Sequence, residues 1–153
     1  MLIDTPRTKC VWGLVGGETI SLGDWTLAFG EVERNYAIFV ATSRDDRPLD
    51  QSRSILITVL SNAENQNMGW NSDRTSVGRR WGNGPTLVNG VPVDVQFTSR
   101  TARRVYALDP SGQRTADIPM TTQATGTLQF TLGPQWKTLW YEVSANAKEP
   151  SKL

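Results

Sequence analysis

The sequence predicts an all-β chain, folded as an antiparallel β-sandwich or jelly roll with one long ordered loop over about residues 62–90. Three observations predict it. Short runs rich in β-branched and aromatic residues recur along the chain. Gly-, Pro- and Asn-containing turns separate them. No segment sustains a 3.6-residue apolar period over three turns, so helices are not expected.

Taken in order, "CVWGLV" (10–15), "ETISL" (18–22) and "WTLAF" (25–29) are short strand candidates divided by "GG" and "GD". "YAIFVATS" (36–43) and "SILITVL" (54–60) are apolar on both parities, the pattern of strands buried on both faces. Between them, "RDDRPLDQSR" (44–53) reads as a charged hairpin-like connection. "PVDVQFTS" (92–99) alternates, with Val93, Val95 and Phe97 inward. "RRVYAL" (103–108) is followed by the turn "DPSGQR". "GTLQFTL" (126–132) puts Leu128, Phe130 and Leu132 on one face. "TLWYEV" (138–143) puts Leu139, Tyr141 and Val143 on one side, and Trp140 and Glu142 on the other. This gives a single sandwich domain over 1–145 and a polar tail over 146–153.

The opening between the two groups of strands, "NMGWNSDRTSVGRRWGNGPTLVNG" (67–90), has neither a helical nor a strand period. Loops of this length in a compact domain are functional or disordered, and two indoles argue against a free coil. Gly69, Gly78, Gly82 and Gly84 are expected to supply backbone conformations that other residues resist, with Pro85 starting the next strand.

Composition restricts the chemistry. The chain has 153 residues, 16 basic and 15 acidic, for a net charge of +1. That is not the electrostatic footprint of a nucleic-acid or anionic-membrane binder. No apolar run is long enough to span a bilayer as a helix, and "MLIDTPRTKC" has no apolar core of a signal peptide. With no histidine and a single cysteine, Ser-His and Cys-His nucleophile pairs, imidazole zinc sites and an intrachain disulfide are excluded. Cys10 reads as a small buried hydrophobe. Glu64 and Asp73 are the only acid pair near the loop, and their spacing has no specificity for glycoside hydrolysis, so no catalytic residue is assigned. No cofactor is expected. Asp45, Asp46 and Asp50 offer the one oxygen cluster that calcium could use, but the interleaved Arg44, Arg47 and Arg53 read as partners in a salt-bridged surface hairpin.

A saccharide ring presents an apolar C–H face and a rim of hydroxyls. Its complement is an open aromatic face flanked by planar hydrogen-bonding side chains. The loop offers that mixture in Trp70, Asn71, Asp73, Arg74, Arg80, Trp81 and Asn83, the candidate carbohydrate-binding residues. Each indole taken alone reads also, and more readily, as an anchor pinning the loop to the core. Trp12, Trp25, Trp136 and Trp140 lie in or beside strands and default to core packing, although "PQWKTLW" could offer a second flat surface.

The ordered series "DTPRT" (4–8), "SILIT" (54–58), "AEN…MGWNSDRTSVG…WGNGPTLVNGVP" (63–92), "RVYALDPSGQR" (104–114) and "TLWYEV" (138–143) resembles the C-terminal β-sandwich region of large bacterial (β/α)-barrel glycoside hydrolases. The specific part is "W-N-x-D-R-T-S-V-G…W-G…P-T-L-V-x-G-V-P"; the rest is generic β sequence. The resemblance implies a non-catalytic accessory domain, part of an exported, multidomain enzyme that is extracellular or periplasmic, with Met1 starting a fragment of the longer chain. It leaves two readings open. One is a carbohydrate-binding module holding a plant or algal polysaccharide, with no nucleic-acid or membrane partner. The other is a structural domain that docks onto the catalytic domain and stabilises it. A docking domain should carry an apolar patch on one sheet face.

Overall fold

The structure, a computed structural model, describes residues 1–101 and 103–145. The tail expected over 146–153 lies outside them. Fourteen strands pair antiparallel throughout: β1 (Leu2–Asp4), β2 (Thr8–Leu14), β3 (Thr19–Leu22), β4 (Trp25–Phe29), β5 (Tyr36–Ser43), β6 (Ser54–Leu60), β7 (Ala63–Gln66), β8 (Asn83–Val88), β9 (Val93–Thr98), β10 (Arg104–Leu108), β11 (Arg114–Ile118), β12 (Met120–Thr122), β13 (Thr127–Leu132) and β14 (Trp140–Ser144). Among the described residues the only helical elements are two single 3-10 turns, Glu33–Asn35 and Pro134–Trp136. A seven-stranded sheet runs β1-β2-β5-β6-β14-β10-β11, and a five-stranded sheet runs β12-β13-β9-β4-β3. The fold is the expected antiparallel β-sandwich.

The core lies between these two sheets and follows from the period-two pattern. Val11, Phe39, Ile55, Ile57, Tyr141 and Val143 come from the larger sheet, and Trp25, Leu27, Val93, Val95, Phe97 and Phe130 from the smaller. Trp25 and Phe97 are register partners in β4 and β9, and their rings stack at 4.1 Å and 10°. Phe130 meets Phe97 edge-on at 6.4 Å. Offset stacks and edge-on pairs are the arrangements that aromatic quadrupoles favour, and they add about 1 kcal/mol each beyond area burial. Cys10 is buried as expected, and burial raises its thiol pKa.

Two expectations change. The segment over about 62–90 is not one loop: β7 and β8 form a separate two-stranded hairpin, and only its tip, residues 67–82, is irregular. Sequence alternation hides these strands because β8 is exposed along its whole length, so nothing forces one parity to be apolar. At the hairpin's neck Gly82 has φ +71, and a Cβ there would collide with the Gln66 carbonyl. Of the other glycines expected to adopt positive φ, Gly78 does and Gly69 and Gly84 do not. At Gly69 the requirement is space instead, since a Cβ would lie 2.7 Å from the Arg80 Cβ.

The second change concerns β5 and β6. Ala37, Phe39, Ala41, Ile55, Ile57 and Val59 fill the core. Their alternates, Ile38, Val40, Leu56 and Leu60, point to the outer face of the larger sheet, where they are half-buried and neither of the other two sheets pairs with them.

The acidic connection 44–53 is tied down without a metal cluster; among the described residues no group of three acidic or thiol ligands is gathered. Asp46 pairs with Arg7 at 2.9 Å and Asp50 with Arg100 at 2.7 Å, partners that lie outside the connection. Asp45 accepts from Ser43 Oγ at 3.0 Å and from the Arg53 N–H at 2.7 Å. Burial pushes its pKa up, but these hydrogen bonds outweigh that and leave it lowered.

Candidate functional site

All seven candidate residues fall on the hairpin tip or its neck, so the chain does bring them together. Their polar groups mostly serve the tip itself. The Asn71 carbonyl caps the Thr75 and Ser76 N–H groups at 2.8 and 3.2 Å, closing an Asx-type turn. Asn83 accepts from Asn67 at 3.3 Å, and the Arg80 guanidinium donates to the Trp70 carbonyl at 3.4 Å. Asp73 accepts from its neighbour Ser72 at 3.0 Å and stays exposed. Val77 is the tip's own buried apolar residue.

Trp70 is an anchor. Its indole Nε1 donates to Glu64 Oε2 at 2.9 Å, and the guanidinium carbons of Arg34 and Arg74 lie 5.2 and 5.5 Å from its ring centre. Glu64 also accepts from Arg74 Nη2 at 2.6 Å and pairs with Arg34 at 3.4 Å. The indole hydrogen bond, with Arg74 and Arg34 beside it, holds the Glu64 pKa below its ordinary value. Arg34 belongs to the turn before β5, as does Glu33, which accepts from Asn89 at 2.6 Å. The cluster therefore fastens the hairpin to the sandwich, with two guanidinium groups against the Trp70 ring. Trp81 differs: it is 63% exposed, and only its backbone carbonyl is engaged, by Asn65 at 3.0 Å. The tip thus presents one open indole, not a coplanar pair.

A larger feature lies on the seven-stranded sheet. Register places Cys10 beside Ile3 and Val40, and Trp12 beside Ile38 and then Leu60, all on the outer face. Trp12 is 46% and Leu14 76% exposed. Trp12 was expected in the core and is not there. At the other end of the same face the surface is closed by polar contacts. Arg114 lies 3.9 Å over the Tyr106 ring and donates to Glu142 at 2.8 Å, and Ser54 donates to Glu142 at 3.3 Å. The smaller sheet's outer face is made of Ser21, Thr26, Asp94, Gln96, Thr98, Gln129 and Thr131, which suits water. The sandwich is therefore asymmetric, with one polar outer face and one apolar. The signal was present in the sequence as apolar residues on both parities of β5 and β6, but it does not say which layer covers the second face.

No family model, curated protein or solved structure matches the chain.

Proposed function

We propose that the chain is a non-catalytic accessory β-sandwich that docks through the outer face of its larger sheet onto another folded domain. The resemblance nominates the catalytic barrel of a parent glycoside hydrolase as that domain. The observation that carries this reading is the apolar stripe Ile3–Trp12–Leu14–Ile38–Val40–Leu56–Leu60 on the outer face of the larger sheet, with Trp12 and Leu14 its most exposed members. A sheet apolar on both faces belongs in a three-layer arrangement, because each apolar face has to be buried against something. A protein layer suits it better than a lipid surface. Its polar members include the neutral hydroxyls of Thr8, Thr42 and Thr58, and the net charge is only +1. Polysaccharide binding through the tip is the weaker reading, since Trp70 is spent as an anchor and Trp81 stands alone.

The test mixes this chain with the separately produced remainder of its parent polypeptide. The wild type should co-elute with it and raise its melting temperature by mass action. Trp12→Lys/Leu14→Lys should do neither while keeping its own β spectrum. Absence of a complex with the wild type, or a complex that the double variant forms equally well, overturns the reading.

A further inference from the structure

We infer that Asn83–Gly84, at the neck of the hairpin, is a self-modifying site that converts its asparagine to aspartate and isoaspartate. The Gly84 backbone nitrogen attacks the Asn83 side-chain carbonyl carbon. The Gly84 N–Cγ bond forms, the Cγ–Nδ2 bond breaks, and Nδ2 leaves as ammonia with the proton that the Gly84 amide gives up. Water then opens the cyclic imide. Cleavage at Cγ returns aspartate, and cleavage at the Asn83 backbone carbonyl leaves the chain running through the side chain as isoaspartate. The sum is asparagine plus water to an acid plus ammonia, with nothing oxidised or reduced.

The chain has two Asn-Gly pairs, Asn83–Gly84 and Asn89–Gly90, and the fold treats them oppositely. Glycine favours the attack because no Cβ screens its nitrogen and its backbone turns freely. Asn83 opens β8, which is exposed along its whole length. Gln66 lies opposite Asn83 and Asn65 opposite Thr86, so Gly84 and Pro85 fall in a bulge without cross-strand partners. A Cβ on Gly84 would meet nothing within 4 Å. Asn83 Oδ1 accepts from Asn67 Nδ2 at 3.3 Å, a contact that stabilises the negative charge this oxygen gains during the attack. Asn83 Nδ2 makes no hydrogen bond among the described residues, so nothing holds the leaving group.

Asn89 is held against the same reaction. Its Nδ2 donates to Glu33 Oε2 at 2.6 Å, and its backbone N–H donates to the Asn62 carbonyl at 3.0 Å. A Cβ on Gly90 would stand 2.7 Å from the Pro134 Cβ, so the Gly90 backbone is packed and has no room to swing. Elsewhere on the hairpin, Asn65, Asn67 and Asn71 precede Gln66, Met68 and Ser72, whose side chains screen the nitrogen.

Conversion changes the neck in charge and in length. A carboxylate replaces a neutral amide beside the exposed Arg79, Arg80 and Trp81, and one added negative charge takes the net charge from +1 to zero. Isoaspartate adds a methylene to the backbone next to Gly82, where the neck already closes tightly on the Gln66 carbonyl. The chain thereby acquires two long-lived surface forms by its own chemistry.

The test incubates the protein in mildly alkaline buffer, folded and in denaturing urea. Trypsin releases both sites in the peptide 81–100, and electron-transfer fragmentation locates the gain of about 1 Da and separates aspartate from isoaspartate. In the folded protein Asn83 should convert at least about tenfold faster than Asn89, which has to break two hydrogen bonds before it reacts. In urea the two rates should converge, because both are then plain Asn-Gly pairs. Gly84 has no positive φ and open space for a Cβ, so Gly84→Ala should keep its urea midpoint and slow conversion of Asn83 several-fold. Asn83→Gln should remove the acidic species from ion exchange. No gain at Asn83 in the folded protein, equal rates at the two sites before denaturation, a gap that survives in urea, or undiminished conversion in Gly84→Ala overturns the inference.

Discussion

Replacing Trp70 by alanine removes a hydrogen bond to a carboxylate and two guanidinium contacts at once. The hydrogen bond to an ionised partner contributes about 2 kcal/mol. The cation–ring contacts add less, because Arg34 and Arg74 are partly exposed and screened. Trp70→Ala should therefore cost about 2 kcal/mol, lower the melting temperature by about 4–8 °C, and make trypsin cut the tip faster at Arg79 and Arg80. Trp81→Ala should change neither; equal effects from the two would contradict the anchor assignment. Glu64 extends the same argument to pH. Its folded pKa lies below its unfolded value, so its contribution is complete above the ordinary carboxylate pKa of 4.5 and disappears as pH falls through the folded value. Scanning calorimetry from pH 6 to pH 3 should show a shallower fall in melting temperature for Glu64→Gln than for the wild type. It should not be flat, because Asp45 and Asp109 are also lowered and keep titrating. At this scale the sequence was half legible. "ENQNMGWNSDR" displays an indole among amides and charges, yet open and pinned indoles have the same neighbours in sequence. The partner that decides for Trp70, Arg34, comes from a turn far upstream.

Elements were legible in proportion to their burial. The strands named from the sequence, β2 to β6, β9, β10, β13 and β14, all bury side chains. The strands that escaped notice are β1, β7, β8, β11 and β12, which are edge or hairpin strands with few or no buried residues. An edge strand needs only one partner and no apolar side, so its pattern is weak. The 44–53 connection illustrates what sequence spacing cannot supply. It is held from outside by Arg103, a buried guanidinium 5.8 Å over the Phe97 ring that donates to Ser99 Oγ and to the carbonyls of Leu49, Asp50 and Ser52. Burial pushes the Arg103 pKa down to about 10, with Asp45 and Asp50 opposing the fall, so the group remains charged at neutral pH. Arg103→Met keeps the length and the apolar stem but orphans three carbonyls. It should cost about 3 kcal/mol, read as a lower urea midpoint. A loss below about 1 kcal/mol would mean that water replaces the guanidinium and that the connection is not stapled.

At the scale of the whole molecule, the consequence of an asymmetric sandwich is association. The core between the sheets is complete without any partner, so Trp12 and Leu14 contribute little to folding; exposed substitutions of this kind usually change stability by no more than about 0.5 kcal/mol. They do place a continuous apolar stripe in water, and the net charge of +1 supplies almost no repulsion between copies at neutral pH. The isolated chain should therefore show reversible self-association in sedimentation velocity as its concentration rises. A dye that fluoresces on apolar surfaces should bind it in the folded state. Trp12→Lys/Leu14→Lys adds two charges in the middle of the stripe. It should sediment as a monomer, bind the dye several-fold less, and unfold at the same urea concentration as the wild type. If the double variant loses stability instead, the stripe is part of the fold. If the wild type is already monomeric and dark to the dye, neighbouring side chains shield the stripe well enough that no second layer is required. Only the first pattern, lost association with retained stability, is what a surface kept for a partner produces, because such a surface is paid for in solubility rather than in folding.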